Sequence, residues 1–358
     1  MKRLYFLAAC WMAGVIPAYS QATNCTQVLR LIRTYYEQGR LHELPAMADG
    51  CLKGEGVNGF SKEERKEAYR YLTLSYIYLE EPEKADEMMV QLLNTDHFYQ
   101  YNKDVDPAEF IALYKKFRTD PVWRVGGKFG VNLTQPVASQ YYNVGSAGAG
   151  QGAYSMSPSI QLIAVFEKDF FRKKPWKNLV LAGEIGYVSR SYSYTNDKLA
   201  ISDETGNAIS SQKFKFTQSF LDVNVIGQYK FKNTIDFQTY LGAGPGISYL
   251  LSSTNEATTL LGNGFTVTGS PVDDTKSYNK VLVSATVVAG VKYRFGEVYV
   301  TAEARFQMGF TNVVNPATRT NPEISMDYQG RYNDYKINNL MLSIGVIYPH
   351  FKPLKLIR

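Results

Sequence analysis

Long hydrophobic runs are missing from this 358-residue chain once its first few dozen positions are passed. No later stretch reaches the roughly 18 apolar residues of a membrane-spanning helix, so no mature transmembrane helix is expected. Strands that cross a bilayer escape that test, because half of each one is polar. Blocks of like charge are missing too. The formal net charge of +6 is mild for this length, and no nucleic-acid module is recognisable, which argues against a nucleic-acid partner. Histidine is scarce, with His42, His97 and His350 alone. No metal-ligand cluster, phosphate loop or nucleophile motif is visible, so no cofactor is implied. Cysteine is limited to Cys10, Cys25 and Cys51.

Tyrosine and phenylalanine are abundant, at 27 and 19 residues, and lie mostly after residue 120. Aromatic belts at two membrane interfaces would use them, and so would an aromatic-rich soluble sandwich. The stretch Ile235 to Leu251, IDFQTYLGAGPGISYLL, favours the membrane. Its odd positions are mainly apolar and its even positions polar or bare, as on a strand with two unlike faces. Half-buried strands keep this up for about 5 or 6 residues, whereas a tilted crossing of a bilayer takes about 9 to 11. The same alternation recurs in Val122 to Thr134, Ile160 to Phe171, Leu179 to Tyr194, Leu221 to Phe231, Val281 to Phe295, Val298 to Phe310 and Asn339 to Tyr348. Eight strands make the smallest usual outer-membrane barrel.

Connection lengths give an independent test. Links after the second, fourth and sixth strands are short: Arg172 to Asn178, Asn233-Thr234 and Gly296-Glu297. Those after the first, third, fifth and seventh are long: Gln135 to Pro158, Asn196 to Gln212, Ser252 to Asn279 and Thr311 to Tyr335. Long loops outside and short turns inside is the outer-membrane pattern. Both termini then fall on the periplasmic side. Pro245 cannot donate to a ladder, so a bulge or local break is expected beside Gly244 and Gly246.

Three regions result. Met1 to Ser20 has basic Lys2 and Arg3, an apolar centre and small Ala18 and Ser20, and reads as a secretory signal peptide. Residues 21–119 read as a periplasmic helical domain. Cys25 to Arg40 has helical spacing, Leu41 to Leu52 makes a second helix, and Ser61 with Glu64 forms a capping box before a third. Helices over Ala85 to Leu93 and Ala108 to Phe117 follow, the last opened by Asp106-Pro107. The paired helices resemble degenerate tetratricopeptide repeats, which implies a protein-interaction module; a generic bundle is the alternative. In an exported chain Cys25 and Cys51 are expected to pair. Residues 120–358 form the barrel.

The inward faces carry both signs of charge, and a network is expected from Arg124, Lys128, Glu184, Arg190, Asp222, Lys292, Arg294, Glu303 and Arg305. Lys230 and Asp236 also point in, and inward glycines would make room for the long side chains. An eight-stranded interior is just wide enough for side chains to fill it, which favours a closed plug over a pore. No histidine is placed to reach the outer rim as a base, so no catalysis is expected. Asp273-Asp274 in the third long loop could hold a cation or could simply be solvated.

The stretches FGVNLTQP at Phe129 to Pro136 and YLGAGPGISYLL at Tyr240 to Leu251 resemble the PorT-like or OmpW-like eight-stranded outer-membrane proteins of Bacteroidota. DPAEFIALYKKFRTDPVW, Asp106 to Trp123, looks like a connection found where a repeat-like helical domain precedes an outer-membrane module. The resemblance covers about two thirds of the chain and departs from its pattern at the end: the chain runs past Tyr348 to LKLIR in place of a terminal aromatic, so that either Tyr348 or Phe351 stands in for it or the tail docks on the helices. It implies a role in envelope machinery, type IX secretion or gliding among the candidates. The reading is therefore an all-β eight-stranded antiparallel transmembrane barrel preceded by a small all-α domain. It would be a non-enzymatic scaffold embedded in outer-membrane lipid, with a periplasmic or outer-membrane protein as partner through the helices. A small-solute pore or surface-ligand binder is the alternative, and a lipid-modifying enzyme a lower third.

Overall fold

Alternation of side chains decides the architecture of Pro121–His350, because a strand apolar on one face and polar on the other must keep the two apart. The computed structural model describes residues 25–54, 58–142, 152–169, 178–197, 201–202, 208–318 and 333–356. The signal-peptide reading and parts of the expected loops lie outside these residues. Eight long strands are present: β1 (Trp123–Gln140), β2 (Ala153–Lys168), β3 (Leu179–Asn196), β4 (Ala208–Asn233), β5 (Phe237–Leu261), β6 (Val281–Phe295), β7 (Val298–Gly309) and β8 (Asp334–His350). Each pairs antiparallel with the next, and β8 returns to pair with β1, so the sheet closes. Closure leaves no ring strand with an open edge. Short pieces at 201–202, 266–268 and 272–273 attach to β4 and β5 on the long-loop side.

The register fixes the tilt. From Lys230 on β4 the partners run through Tyr240, Gly290, Glu303, Ser343, Gly130, Gln161 and Val188, and return to β4 at Phe220. The path comes home ten residues along the strand, from 230 to 220. Ten residues at about 3.3 Å, set against eight strand spacings of about 4.8 Å, tilt the strands by roughly 40°. On β5 the outward Leu241, Ile247, Tyr249 and Leu251 are exposed, whereas Tyr240, Ser248 and Leu250 are buried. At that tilt Leu241 to Leu251 spans about 25 Å, the height of a lipid-facing apolar band. Outward Tyr229, Phe231, Tyr293, Phe295 and Tyr348 mark its short-turn edge, and Tyr187, Tyr249 and Phe310 its long-loop edge.

Strands β1, β2, β4, β5 and β8 run further towards the long loops than the sequence reading placed them. β4 and β5 continue well beyond the band, to Ala208 and Leu261, through residues read as loop. Past Ser252 the outward face turns polar at Thr254, Glu256 and Thr258, so the hydrophobic signal ends while the backbone ladder goes on. The break expected at Pro245 is present without a bulge. Pairing of β5 with β4 lapses between Gly246 and Ala243 but resumes in the same register, and Pro245 stays opposite Ala285 on β6. The register shifts of this pair fall instead at Ser219/Phe220, Lys230/Lys232 and Ile209/Ser211.

The other unit is helical and comprises the chain through Asp120 together with the tail from Phe351. Its elements are α1 (Cys25–Glu37), a 3-10 turn at Leu41–Glu43, α2 (Leu44–Lys53), α3 (Lys62–Tyr78), α4 (Pro82–Thr95) and α5 (Ala108–Tyr114). Ser61 caps α3: its hydroxyl accepts from the Glu64 N–H while its own N–H donates to the Glu64 carboxylate. Hydrogen bonds from the Thr26 hydroxyl and from Ser61 hold the Glu64 carboxyl below its ordinary range. Ile32, Leu44, Ala48, Phe60, Ala68 and Leu72 form one core, and Leu74, Met89, Leu92 and Phe110 another. A disulfide joins Cys25 to Cys51. The tail, assigned to the barrel region from the sequence, belongs with the helices. Arg118 N–H donates to Leu354 O at 2.9 Å, Leu356 N–H to Lys116 O at 2.7 Å, and Phe351 packs edge-on against Phe98. Among the described residues no helix is long and apolar enough to cross a membrane.

Candidate functional site: the barrel interior

Inward side chains of the eight strands meet on the barrel axis, and their chemistry changes in layers from short turns to long loops. Nearest the turns, the Asp169 carboxylate takes Arg124 at 2.7 Å and Lys230 at 3.3 Å. Next, the Lys292 ammonium reaches both oxygens of Glu167 at 2.6 Å and lies 4.7 Å from the Tyr240 ring centroid.

The middle layer is a four-membered ring of charge. Lys128 donates to Glu184 at 2.9 Å and to Glu303 at 2.6 Å, and Arg305 bridges the same two carboxylates at 2.5 Å each. The Tyr240 hydroxyl also donates to Glu303. One layer further, Arg190 donates to Asp222 at 2.7 Å and to Ser248 and Gln307 at 3.0 Å, with its guanidinium 4.3 Å from the Phe220 ring centroid. Desolvated charges are tolerable when each has a close opposite partner, and each charge named here has one, although Arg124 Nε and Nη1, Arg190 Nε and Asp222 Oδ1 are buried without a hydrogen bond.

Above the charges the interior becomes apolar. Tyr192, Phe214, Phe216, Leu282, Val313 and Tyr335 belong to one buried cluster at the long-loop end, with the Tyr192 and Tyr335 hydroxyls 2.6 Å apart. Between charge and cluster, a void lined by Arg190, Ser248, Gln307 and Asn339 measures about 10 Å³. That is space for about one water molecule.

The nine residues singled out from the sequence do not all share this interior. Arg124, Lys128, Glu184, Arg190, Asp222, Lys292, Glu303 and Arg305 are buried in it. Arg294 is not. It pairs with Asp236 at 2.7 Å at the short-turn end, and both side chains are substantially exposed. Parity along β6 puts Arg294 on the inward face, but the strand has by then run past the filled part of the barrel. Glu167, Asp169 and Tyr240 were missed, although outward Leu162, Ala164 and Phe166 already imply an inward Glu167. The inward glycines make room chiefly for other groups than Arg and Lys. A Cβ on Gly290 would meet the Tyr240 ring at 2.4 Å, and one on Gly244 would meet Val225 O at 1.8 Å. The histidines lie elsewhere: His42 in the 3-10 turn, His97 stacked with Phe351, and His350 at the end of β8 stacked with Trp123.

Residues 116–315 match the model of the family described as outer membrane protein beta-barrel domain, which is 200 of 358 positions. The chain belongs to that family. Its barrel is thus an outer-membrane barrel, and the apolar band faces lipid. Among solved structures, this outer-membrane barrel protein is similar to OprG from Pseudomonas aeruginosa, at 12% identity, covering 66% of this chain and 96% of that one with a TM-score of 0.36. It is also similar to neisserial surface protein A, at 15% identity with 63% and 96% covered and a TM-score of 0.29. Ail of Yersinia pestis stands at 10% identity, with 64% and 99% covered and a TM-score of 0.27. No curated protein matches the chain.

Proposed function

We propose that this outer-membrane barrel conducts nothing and catalyses nothing, and that it anchors its helical unit as a protein-interaction module, a scaffold or assembly component of a cell-envelope complex. The observation that carries this reading is the filled interior. Among the described residues, four layers of paired charge and an aromatic cluster fill the interior, and the void between them measures about 10 Å³. Activity then belongs to surfaces. The chain enters β1 from the short-turn end, which supports a periplasmic position for the helices. The paired helices, disulfide-tied at Cys25–Cys51, have the build of a small tetratricopeptide-like docking domain. Type IX secretion or gliding machinery is the kind of complex that the resemblance implies, and the first 20 residues supply the export signal.

Native co-purification from the outer membrane tests the proposal. Partners recovered with the full chain should be lost when residues 25–119 are deleted while the barrel still inserts. Partners that stay with the barrel alone would sink it, and so would stepwise conductance of the intact protein in planar bilayers.

A second reading, surface-ligand binding, has one observation in its favour. The β5 extension and the 266–268 strand form a hairpin beyond the band, and Phe265 and Val267 at its end are exposed, at 71% and 57%.

A further inference from the structure

The acidic pair of the third long loop is split by the fold. Asp273 is exposed and accepts from the Thr275 backbone N–H at 2.9 Å and the Thr275 hydroxyl at 2.5 Å. Asp274 turns inward and is only 4% exposed. Its backbone N–H donates to Ser253 O at 3.1 Å, which places it opposite Ser253 on β5, outside the apolar band. The Tyr278 hydroxyl donates to its Oδ2 at 3.1 Å, while its Oδ1 has no partner.

No lysine, arginine or histidine among the described residues forms an ion pair with this carboxylate. Every other buried carboxylate among them has one: Glu167, Glu184, Asp222 and Glu303 in the barrel, and Asp106 in the helical unit. A carboxylate taken out of water needs a compensating cation or a proton. The groups beside Asp274 supply oxygen instead. Gln218 pairs with Ser253 across the ladder, its amide donating to the Ser253 hydroxyl at 3.4 Å, and its Oε1 is buried without a partner. Asn255, the next inward residue on β5, has an unpartnered Oδ1 and is 2% exposed. Orphaned amide oxygens occur elsewhere in the interior, at Gln161 and Gln228 for example. Here the register groups them about an uncompensated carboxylate: Asp274 lies opposite Ser253, Gln218 is the partner of Ser253 on β4, and Asn255 is two residues further along β5.

We propose that the inward row Gln218, Asn255 and Asp274 binds a hard divalent cation, calcium or magnesium, with the Asp274 carboxylate as its anionic ligand and the two amide oxygens beside it. All-oxygen ligation suits these ions, and a single carboxylate sets the affinity in the range of about 10⁻⁴ to 10⁻³ M found for extracellular modules. Among the described residues fewer than three His, Cys, Asp or Glu side chains converge here, and an all-oxygen set with one carboxylate suits a weakly held hard cation. The cation would tie the 272–277 segment to β4 and β5 and close the long-loop end of the barrel over its aromatic cluster.

Terbium luminescence excited through tyrosine tests this on the purified full chain in detergent, since Tyr278 touches Asp274. Emission should rise with Tb³⁺ and be displaced by Ca²⁺ near the concentration stated above. In Asp274→Asn it should be roughly fivefold weaker or less. Asn255→Ala, which removes a neutral ligand, should weaken Ca²⁺ competition and keeps the test open where Asp274→Asn does not fold. Emission unchanged in Asp274→Asn, or not displaced by Ca²⁺, overturns the site. A wild-type protein that binds neither ion also overturns it and leaves the carboxyl to be held neutral by its proton.

Discussion

Lys128 is the residue on which the centre of the barrel turns. With Arg305 it balances Glu184 and Glu303, and all four side chains are shielded from water. A buried ion pair adds little net stability over an apolar pair, but removing one member strands the other. Lys128→Met leaves Arg305 alone against two carboxylates and should cost about 3 to 5 kcal/mol. The readout is the temperature at which the folded, fast-migrating form on an unheated gel is lost. Adding Glu303→Gln to Lys128→Met should recover much of that loss; a double variant worse than the sum of the singles would refute the charge-balance account. Asp274 presents the opposite case. Burial without a basic partner pushes its carboxyl up to about 6, outweighing hydrogen bonds from Ser253 and Tyr278, and nearby Asp273 adds to the rise. The other titratable groups facing it are Tyr192 and Tyr278. A raised folded-state pKa on an acid means stability present below the unfolded value and lost as pH climbs through the folded one. With divalent ions chelated, the long-loop end should therefore weaken by about 2 kcal/mol between pH 4 and pH 7. Hydrogen exchange of residues 272–279 measures this. Asp274→Asn should flatten the profile, and a wild-type profile that is flat or rises would refute it.

Elements show which parts of the fold a sequence can declare. β6, read as Val281 to Phe295, has those bounds in the structure because both of its faces keep their character from end to end. β4 and β5 were read short because the outward face becomes polar once it leaves the lipid, and pairing continues through backbone bonds that carry no side-chain signature. The same limit explains Arg294: parity gives the face of a strand but not the height at which the interior ends. Helix α3 was legible through a purely local device. Its capping box satisfies N–H groups that the first turn cannot, so Ser61→Ala should destabilise the helical unit by about 1 kcal/mol. Far-UV circular dichroism against urea would detect it. Because the Glu64 carboxyl is held low by Thr26 and Ser61, its contribution is present above the ordinary carboxylate range and fades as pH falls through the lowered value. Ser61→Ala should lose part of that acid dependence.

At the scale of the whole molecule, closure of the ring was readable from strand count and loop asymmetry. The tail's allegiance was left open between a strand end and docking on the helices, because no side-chain pattern in so short a segment decides it; the backbone bonds of Leu354 with Arg118 and of Leu356 with Lys116 place it with the helices. The candidate site divides in the same way. Its charges could be placed by parity, but which carboxylate each cation takes depends on the ten-residue stagger, a property of all eight strands together. Two units with separate cores should unfold as two transitions, and the disulfide tells them apart. Cys25 and Cys51 lie 26 positions apart in the helical unit, and in the chain-entropy account a loop of that size stabilises by about 3 to 4 kcal/mol. The double variant Cys25→Ser, Cys51→Ser should lower the helical transition, followed by circular dichroism, and leave the heat-dependent gel shift of the barrel where it was, because the interior charge layers contain no cysteine. A parallel drop in both transitions would mean that the helical unit is part of the barrel's cooperative fold, and the anchor-and-module reading would then have to be abandoned.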